Sequence, residues 1–309
     1  MFYLNRSEKN PILSPNKNHQ WEVLAAFNPS PVKEGKNTHL FYRAMSAPDM
    51  LAEPHISRSV IGHAVSVNGD TYSERKPLIV PEHDFEKYGC EDPRATKLDG
   101  KYYIFYTALS NYPFNADGIK VALAISEDLK TISEKHQVTP FNAKAMALFP
   151  EKINGKFAAI LTPNTDRPPS KIAYAEFDRE EEMWSKEFWD RWYEELDTHE
   201  IKIFKEENDQ LEVGCPPLKT KYGWLVIYSH IENYLGGHAN FGIRAVMLDK
   251  KNPRRILGEI RQSFMVPETY YEKTGQVSNI VFPSGALINK DKLEIYYGAA
   301  DTHCAVATI

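Results

Sequence analysis

The sequence predicts an all-β chain, a five-bladed β-propeller with a helical or loop insertion in its third blade. Three observations predict it. Five aromatic and β-branched segments recur at intervals of roughly 50–70 residues, tight-turn dipeptides stand ahead of them, and further short apolar segments follow most of them. Antiparallel sheets repeated with that period stack radially and so leave only short, protected edges.

In chain order the strong segments are "THLFYRA" (38–44), "KYYIFYTA" (101–108), "KFAAILTP" (156–163), "GWLVIYSH" (223–230) and "KLEIYYGA" (292–299). Their composition suits strands packed on both faces, and they are expected to be the innermost strands of the blades. "ATKLDGK", "EKINGK", "PLKTKYG" and "GALINKDK" precede four of them; Asp99-Gly100 and Asn154-Gly155 are favoured two-residue hairpin turns. "IGHAVSV", "IKVALAIS", "KIAYAEF", "FGIRAVML" and "CAVATI" supply the next strands. A β-sandwich would show similar hairpin spacing, but no Pro/Gly/Ser-rich linker divides the chain, so residues 1–309 are expected to form one catalytic domain. The segment 178–209 breaks the pattern. It is highly charged yet spaces Trp184, Phe188, Trp192 and Leu196 four residues apart, with Trp189 and Tyr193 widening the same helical face. Such a helix covers a sheet edge; a sharper reading has its aromatic rings reaching over the entrance to stack on a ligand.

Composition narrows the function. Hydrophobic residues make up 42% of the 309, enough for a core, and the net charge of −5 argues against nucleic acid or an anionic membrane as partner. The start lacks the pattern of a signal peptide and no apolar run reaches bilayer length, so a cytoplasmic location is expected. Cys90, Cys215 and Cys304 are odd in number and widely spaced, as in a reducing compartment. His55, His63 and His83 match no ligand spacing, and no metal or cofactor is expected. Neither a phosphate-cradling glycine loop nor a nucleophile elbow is present. The expected partner is a small oligosaccharide, with homo-oligomer formation left open.

Polar residues at matching points of the repeats are brought together at the axis of a propeller. These are Arg43, Thr107, Thr162, Ser229 with His230, and Asp301, joined by the turn "CEDPR" with Glu91, Asp92 and Arg94. Carboxylates, an arginine, hydroxyls and aromatic surfaces such as Tyr106 suit a neutral polyhydroxylated ligand. Beside Glu91 at a channel mouth, Asp92 is expected to have a raised proton affinity, with Arg94 keeping one of the two carboxylates ionised.

"GCEDPRATKLDGKYYIFYTA", "ALFPEKINGK", "PPLKTKYGWLVIY", "RAVMLDKKNPRRILG" and "NIVFPSGALINKDKLEIYYGAAD" together resemble glycoside hydrolase family 130. That family contains five-bladed propellers acting on β-mannosides, as phosphorylases or as hydrolases. The resemblance implies that Asp92 is the general acid, directly or through a sugar hydroxyl, and that Asn28, Arg43 and Asp301 hold the mannose whose bond is cut. Phosphorylases of the family resemble one another in an Arg-Pro, a Tyr-His-Gly and a Lys before Ile-Gly. This chain has Thr162-Pro163, Tyr228-Ser229-His230 and Glu212 before Val213-Gly214 instead. A dianion needs cations around it. The expectation is therefore hydrolysis of short β-1,2-linked manno-oligosaccharides with inversion, Glu212 acting as general base, or less favourably Asp166 or Glu232. The alternative is a phosphorylase that takes inorganic phosphate as co-substrate and releases mannose 1-phosphate, its phosphate held by Lys144, Arg43 and His230. A non-catalytic sugar-binding propeller is the reading of another class.

Overall fold

Strands supply most of the regular structure in the computed structural model, which describes residues 4–69 and 71–309. They fall into five antiparallel units. The first comprises Ala25–Glu34, Asn37–Met45, Ser59–Ser66 and Ser73–Ile79, and the second Gly89–Leu98, Lys101–Leu109, Ile119–Ser126 and Glu134–Gln137. These two share a sheet only through one parallel pairing, Ser59 with Gly89. The third unit has Ala143–Leu148, Phe157–Pro163 and Ala173–Phe177; the fourth has Gln210–Val213, Leu218–Lys219, Trp224–Glu232, Asn240–Leu248 and Ile256–Glu259. The fifth joins Val281–Asn289, Lys292–Ala299 and His303–Thr308 to Asn5–Arg6 from the other end of the chain. Among the described residues no helix is long and apolar enough to cross a membrane.

The expected hairpins form. Asp99 and Gly100 take φ of +50° and +84°, Asn154 and Gly155 +53° and +84°, as such turns demand. The expected strand order within each unit needs one correction. "KYYIFYTA" and its counterparts are the second strands, hydrogen-bonded on both sides, while the strands before them meet one another at the centre. Ala25–Glu34 packs on Gly89–Leu98, which packs on Ala143–Leu148, which packs on Gln210–Val213; Leu218–Lys219 packs on Val281–Asn289, which returns to Ala25–Glu34. Second strands signal most strongly because both faces are covered. First strands are interrupted by Pro29, Pro93, Pro216 and Pro283 and carry polar groups, which weakens their pattern.

The 178–209 segment follows the plainer reading. The third unit stops at three strands, and helix Lys186–Glu194 covers its outer side. Ser185 caps the helix by accepting from the Phe188 backbone N–H at 3.3 Å. Trp189 and Trp192 are buried against Phe177, Leu123 and Val138, and each indole N–H donates to a backbone carbonyl, of Met183 and Tyr174 respectively. Their rings therefore belong to the core and do not reach over a ligand. Tyr193 stacks on Phe141 with centroids 4.2 Å apart and donates to Asn164 Oδ1.

Candidate active site

Each first strand breaks its register at the same level. The ladder skips between Phe27 and Ser30, Glu91 and Arg94, Lys144 and Ala147, and Pro283 and Gly285. In the fourth unit the N–H groups of Gly214 and Cys215 both donate to the Ile227 carbonyl. One extra residue on a strand re-aims the side chains around it. Asn28, Asp92 and Ala145 take left-handed backbone at these bulges, φ +50°, +52° and +51°. That conformation costs a non-glycine residue about 1 kcal/mol, and its recurrence at one level makes this the candidate functional centre.

The bulges gather a polar cluster. Asn28 Nδ2 donates to Asp92 Oδ1 at 2.7 Å. Arg43 reaches Glu91 Oε1 at 2.5 Å and Asp92 Oδ1 at 3.7 Å. Its Nε donates to Ser59 Oγ at 3.0 Å, and Ser59 donates to Glu91 at 3.2 Å. Beneath the guanidinium lies the Phe27 ring, 4.9 Å away. Lys144 bonds Asp166 at 2.9 Å; Asp166 also accepts from Asn142 and Thr165. Asp301, itself at φ +48°, feels Arg43, Asp92 and Glu91. Glu212 interacts with Lys144, Arg94, Asp92 and Asp166. Three buried oxygens near this level, Asn28 Oδ1, Thr107 Oγ1 and Ser229 Oγ, find no partner among the described residues, and Thr107 and Ser229 lie directly across from Glu91 and Glu212. Buried oxygens left open in this way suit a hydroxylated ligand or ordered water.

Electrostatics divide the carboxyl groups. Burial, and then Asp92, raise the proton affinity of Glu91 against the pull of Arg43. For Asp92 burial is outweighed by Arg43, Arg94 and the Asn28 hydrogen bond, so it is held ionised. This reverses the expected order: Asp92 is the ionised member and Glu91 the one that gains proton affinity. Groups this close titrate as a pair. Burial pushes Glu212 up to about 7 and Asp301 up to about 6. Asp166 is held below its ordinary value, because Lys144, Asn142 and Thr165 together overcome burial. Arg43 and Lys144 keep their charges despite burial because carboxylates surround them.

The structure thus brings together Asn28, Arg43, Glu91, Asp92, Lys144, Glu212 and Asp301, keeps Arg94 close enough to favour the ionised Asp92, and turns three other sequence-derived site residues elsewhere. Tyr106 is buried and donates to Glu86 at 2.5 Å, away from the cluster. Thr162 Oγ1 accepts from the Val213 backbone N–H at 2.9 Å. His230 is buried 2.8 Å from Asp209, and burial lowers its proton affinity. Arg94 gives its donors to backbone carbonyls of Asp92, Gly214 and Val213, not to a carboxylate. Of the other two bases considered, Asp166 is committed to Lys144 and Glu232 is an exposed strand end beside Asn240. Sequence reading missed Ser59, Asn142 and Thr165; only the "FNAKAM" context of Asn142, two residues before Lys144, hinted at one of them.

Two other places hold less chemistry. A cavity of about 420 Å³ between Leu225, Ile227, Met247, Phe264 and Leu293 is almost wholly apolar and shares no residue with the cluster. Glu82, His83 and Glu86 gather on a surface turn, but Glu86 is already engaged by Lys135, Tyr106, Cys90 and two backbone N–H groups.

Comparison with known proteins places this geometry. A family model described as beta-1,4-mannooligosaccharide phosphorylase matches residues 4–309. A beta-1,2-mannobiose phosphorylase of Thermoanaerobacter sp. (strain X514) is 34% identical, covering 100% of this chain and 98% of that protein. A 1,2-beta-oligomannan phosphorylase of the same organism is 31% identical over the same shares. In structure, a beta-1,2-mannobiose phosphorylase from Listeria innocua, solved with beta-1,2-mannobiose, superposes with TM-score 0.82 at 24% identity, covering 100% of this chain and 97% of the other. A structure described as showing that the family also contains hydrolases of beta-1,2 mannosidic linkages in Candida mannan superposes at 0.76 with 20% identity, over 99% and 93% of the two chains. The five quoted motifs, the bulged Glu91-Asp92 turn and the family match over nearly the whole chain lead to one assignment: the chain belongs to glycoside hydrolase family 130, the β-mannoside-processing enzymes.

Proposed function

We propose that this chain is a β-mannoside phosphorylase acting on β-1,2-linked manno-oligosaccharides, and that its five units are the blades of one five-bladed propeller. The propeller reading rests on the succession of first strands from unit to unit and back to the first. The phosphorylase reading rests on full-length kinship with two phosphorylases above 30% identity. The observation that carries the chemistry is Asp92, held at the bulge by Asn28 and Arg43 with Glu91 beside it.

In the proposed step the C1–O bond to the leaving sugar breaks as a phosphate oxygen bonds C1 from the opposite face, giving α-mannose 1-phosphate. The proton comes from Asp92, directly or through a sugar hydroxyl, onto the leaving oxygen. In the empty site Asp92 is ionised, so the Glu91–Asp92 pair takes up this proton as the sugar displaces the Asn28 and Arg43 contacts. Lys144 and Arg43 supply positive charge for the phosphate. Glu212, with a pKa of about 7, is neutral in a large share of molecules at neutral pH and then donates to phosphate instead of repelling it.

A specific observation favours hydrolysis as the second reading. Arg43, Lys144 and His230 are each engaged by a carboxylate, namely Glu91, Asp166 and Asp209. No hydrogen bond ties the Glu212 carboxyl group among the described residues, which suits a base for water. The two readings predict opposite pH behaviour. A Glu212 that must donate to phosphate makes kcat/KM fall above about pH 7; a Glu212 that must accept from water makes it rise. Rates on β-1,2-mannobiose with and without inorganic phosphate, repeated on the β-1,4 isomer, test both acceptor and linkage. Equal rates without phosphate end the phosphorylase reading.

A further inference from the structure

Resting on that reading, we propose that Arg94 is the positioning residue that fixes Asp92 and Glu212 relative to each other across the centre of the fold. Its guanidinium is 1% exposed, with no surface to offer a sugar or a phosphate. Nη1 donates to the Asp92 carbonyl at 2.7 Å, Nε to the Gly214 carbonyl at 3.0 Å and Nη2 to the Val213 carbonyl at 3.2 Å. One side chain thus binds the left-handed bulge of the second unit to the strand end of the fourth unit, next in sequence to Glu212. The centre of the Phe282 ring of the fifth unit lies 5.6 Å from the guanidinium carbon. From the other side Thr162 holds the Val213 N–H at 2.9 Å. The segment after Glu212 is therefore gripped at its N–H by the third unit and at its carbonyls by Arg94.

Only arginine presents three N–H groups in a planar fork at such angles; lysine keeps the charge and loses the fork. Arg94 also lies near enough to Asp92 and Glu212 to favour the ionised form of both. Charge and geometry therefore have to be separated by experiment. A misplacement of about 1 Å between reacting groups costs on the order of 100-fold in rate.

The test compares Arg94→Lys and Thr162→Val with the unaltered enzyme on β-1,2-mannobiose plus phosphate, reading kcat, KM, the pH profile and the melting temperature. Arg94→Lys is expected to lower kcat about 100-fold and leave KM within about threefold. The ionisation near pH 7 should stay in place because the charge is kept. Thr162→Val is expected to lower kcat about tenfold at unchanged KM. A raised KM with unchanged kcat in Arg94→Lys would make Arg94 a binding group and overturn the proposal; so would a folded variant with kcat within threefold of the original. If Arg94→Lys does not fold, Thr162→Val decides, and an unchanged kcat there refutes the assignment. An unaltered enzyme that cleaves no mannoside with or without phosphate removes the functional reading itself, a different failure from active enzyme with indifferent variants.

Discussion

At the scale of single residues, the chemistry turns on what a carboxyl group can do when its neighbours are fixed. Asp92 gains a hydrogen bond from Asn28 and a cation 3.7 Å away, both of which favour the charged form. Glu91 lies under the same arginine yet gains proton affinity from burial and from Asp92. Removing the proposed proton-transfer group while keeping its shape should be decisive: Asp92→Asn is expected to lower kcat by about 10²–10⁴-fold with the melting temperature nearly unchanged, measured by product release and calorimetry. Glu212→Gln should flatten the pH dependence centred near 7, since no ionisation then remains at that position. The place of Glu91 and Asp92 in the polar cluster was legible because Glu-Asp-Pro-Arg ahead of an apolar strand has little structural reason to exist. The roles of Arg94, Thr162, Tyr106 and His230 were not legible. Whether an arginine meets a carboxylate or a backbone carbonyl 120 residues away depends on tertiary placement that local spacing does not encode. Ser59 was invisible for the same reason.

At the scale of elements, the bulge is the unit of design. Five strands keep apolar residues against their neighbours, then each misses one step of its ladder, and four of them turn polar side chains to a shared centre. In sequence the bulges leave only a faint trace, an X-Pro step at Asn28-Pro29, Asp92-Pro93 and Cys215-Pro216, whereas the second strands announce themselves by composition. That is why the repeat was readable and the identity of the central strand was not. The helix of the third unit was readable from its four-residue aromatic spacing, but which ring is deepest was not: Trp189 is fully buried, while Trp184 stacks on His136 at 4.0 Å nearer the surface. Trp189→Ala should destabilise the protein by about 3–5 kcal/mol, through lost burial and a cavity beside Phe177. Trp184→Ala should cost clearly less. Chemical denaturation of both variants checks this; equal losses would mean that the helix does not replace a strand in the core.

At the scale of the whole molecule, the first and last parts of the chain are tied together. Asn5 and Arg6 pair with Thr308 and Ala307, and the Arg6 guanidinium grips the buried Glu272 at 2.7 Å. Tyr297 and the backbone N–H groups of Glu268 and Thr269 donate to the same carboxylate. Glu272→Gln leaves Arg6 without its buried partner and is expected to cost about 3–5 kcal/mol. The acid sensitivity of the fold follows from groups of this kind. Burial opposes ionisation of Glu272, yet its hydrogen bonds hold it below 4.5, so its contribution is full above pH 4.5 and is lost as pH falls through the folded value. His63 works in the same direction. Burial beside His39 pushes it from 6.5 to about 3, so the unfolded chain takes up a proton that the folded chain refuses, and stability declines from pH 6.5 downward. Glu212 and Asp301, raised to about 7 and about 6, work in the opposite direction. The His63 contribution is therefore read by difference: between pH 7 and pH 4 the melting temperature of the unaltered protein should fall relative to that of His63→Gln. A difference between the two proteins that stays constant over that range would contradict this assignment for His63.

The most direct test of the account is combined phosphorus and proton NMR of β-1,2-mannobiose incubated with the enzyme and inorganic phosphate, beside the same reaction with Asp92→Asn. The account predicts a growing α-mannose 1-phosphate signal in the first tube, none in the second, and no free mannose in excess of the leaving sugar. Two equivalents of mannose with phosphate left untouched would contradict it.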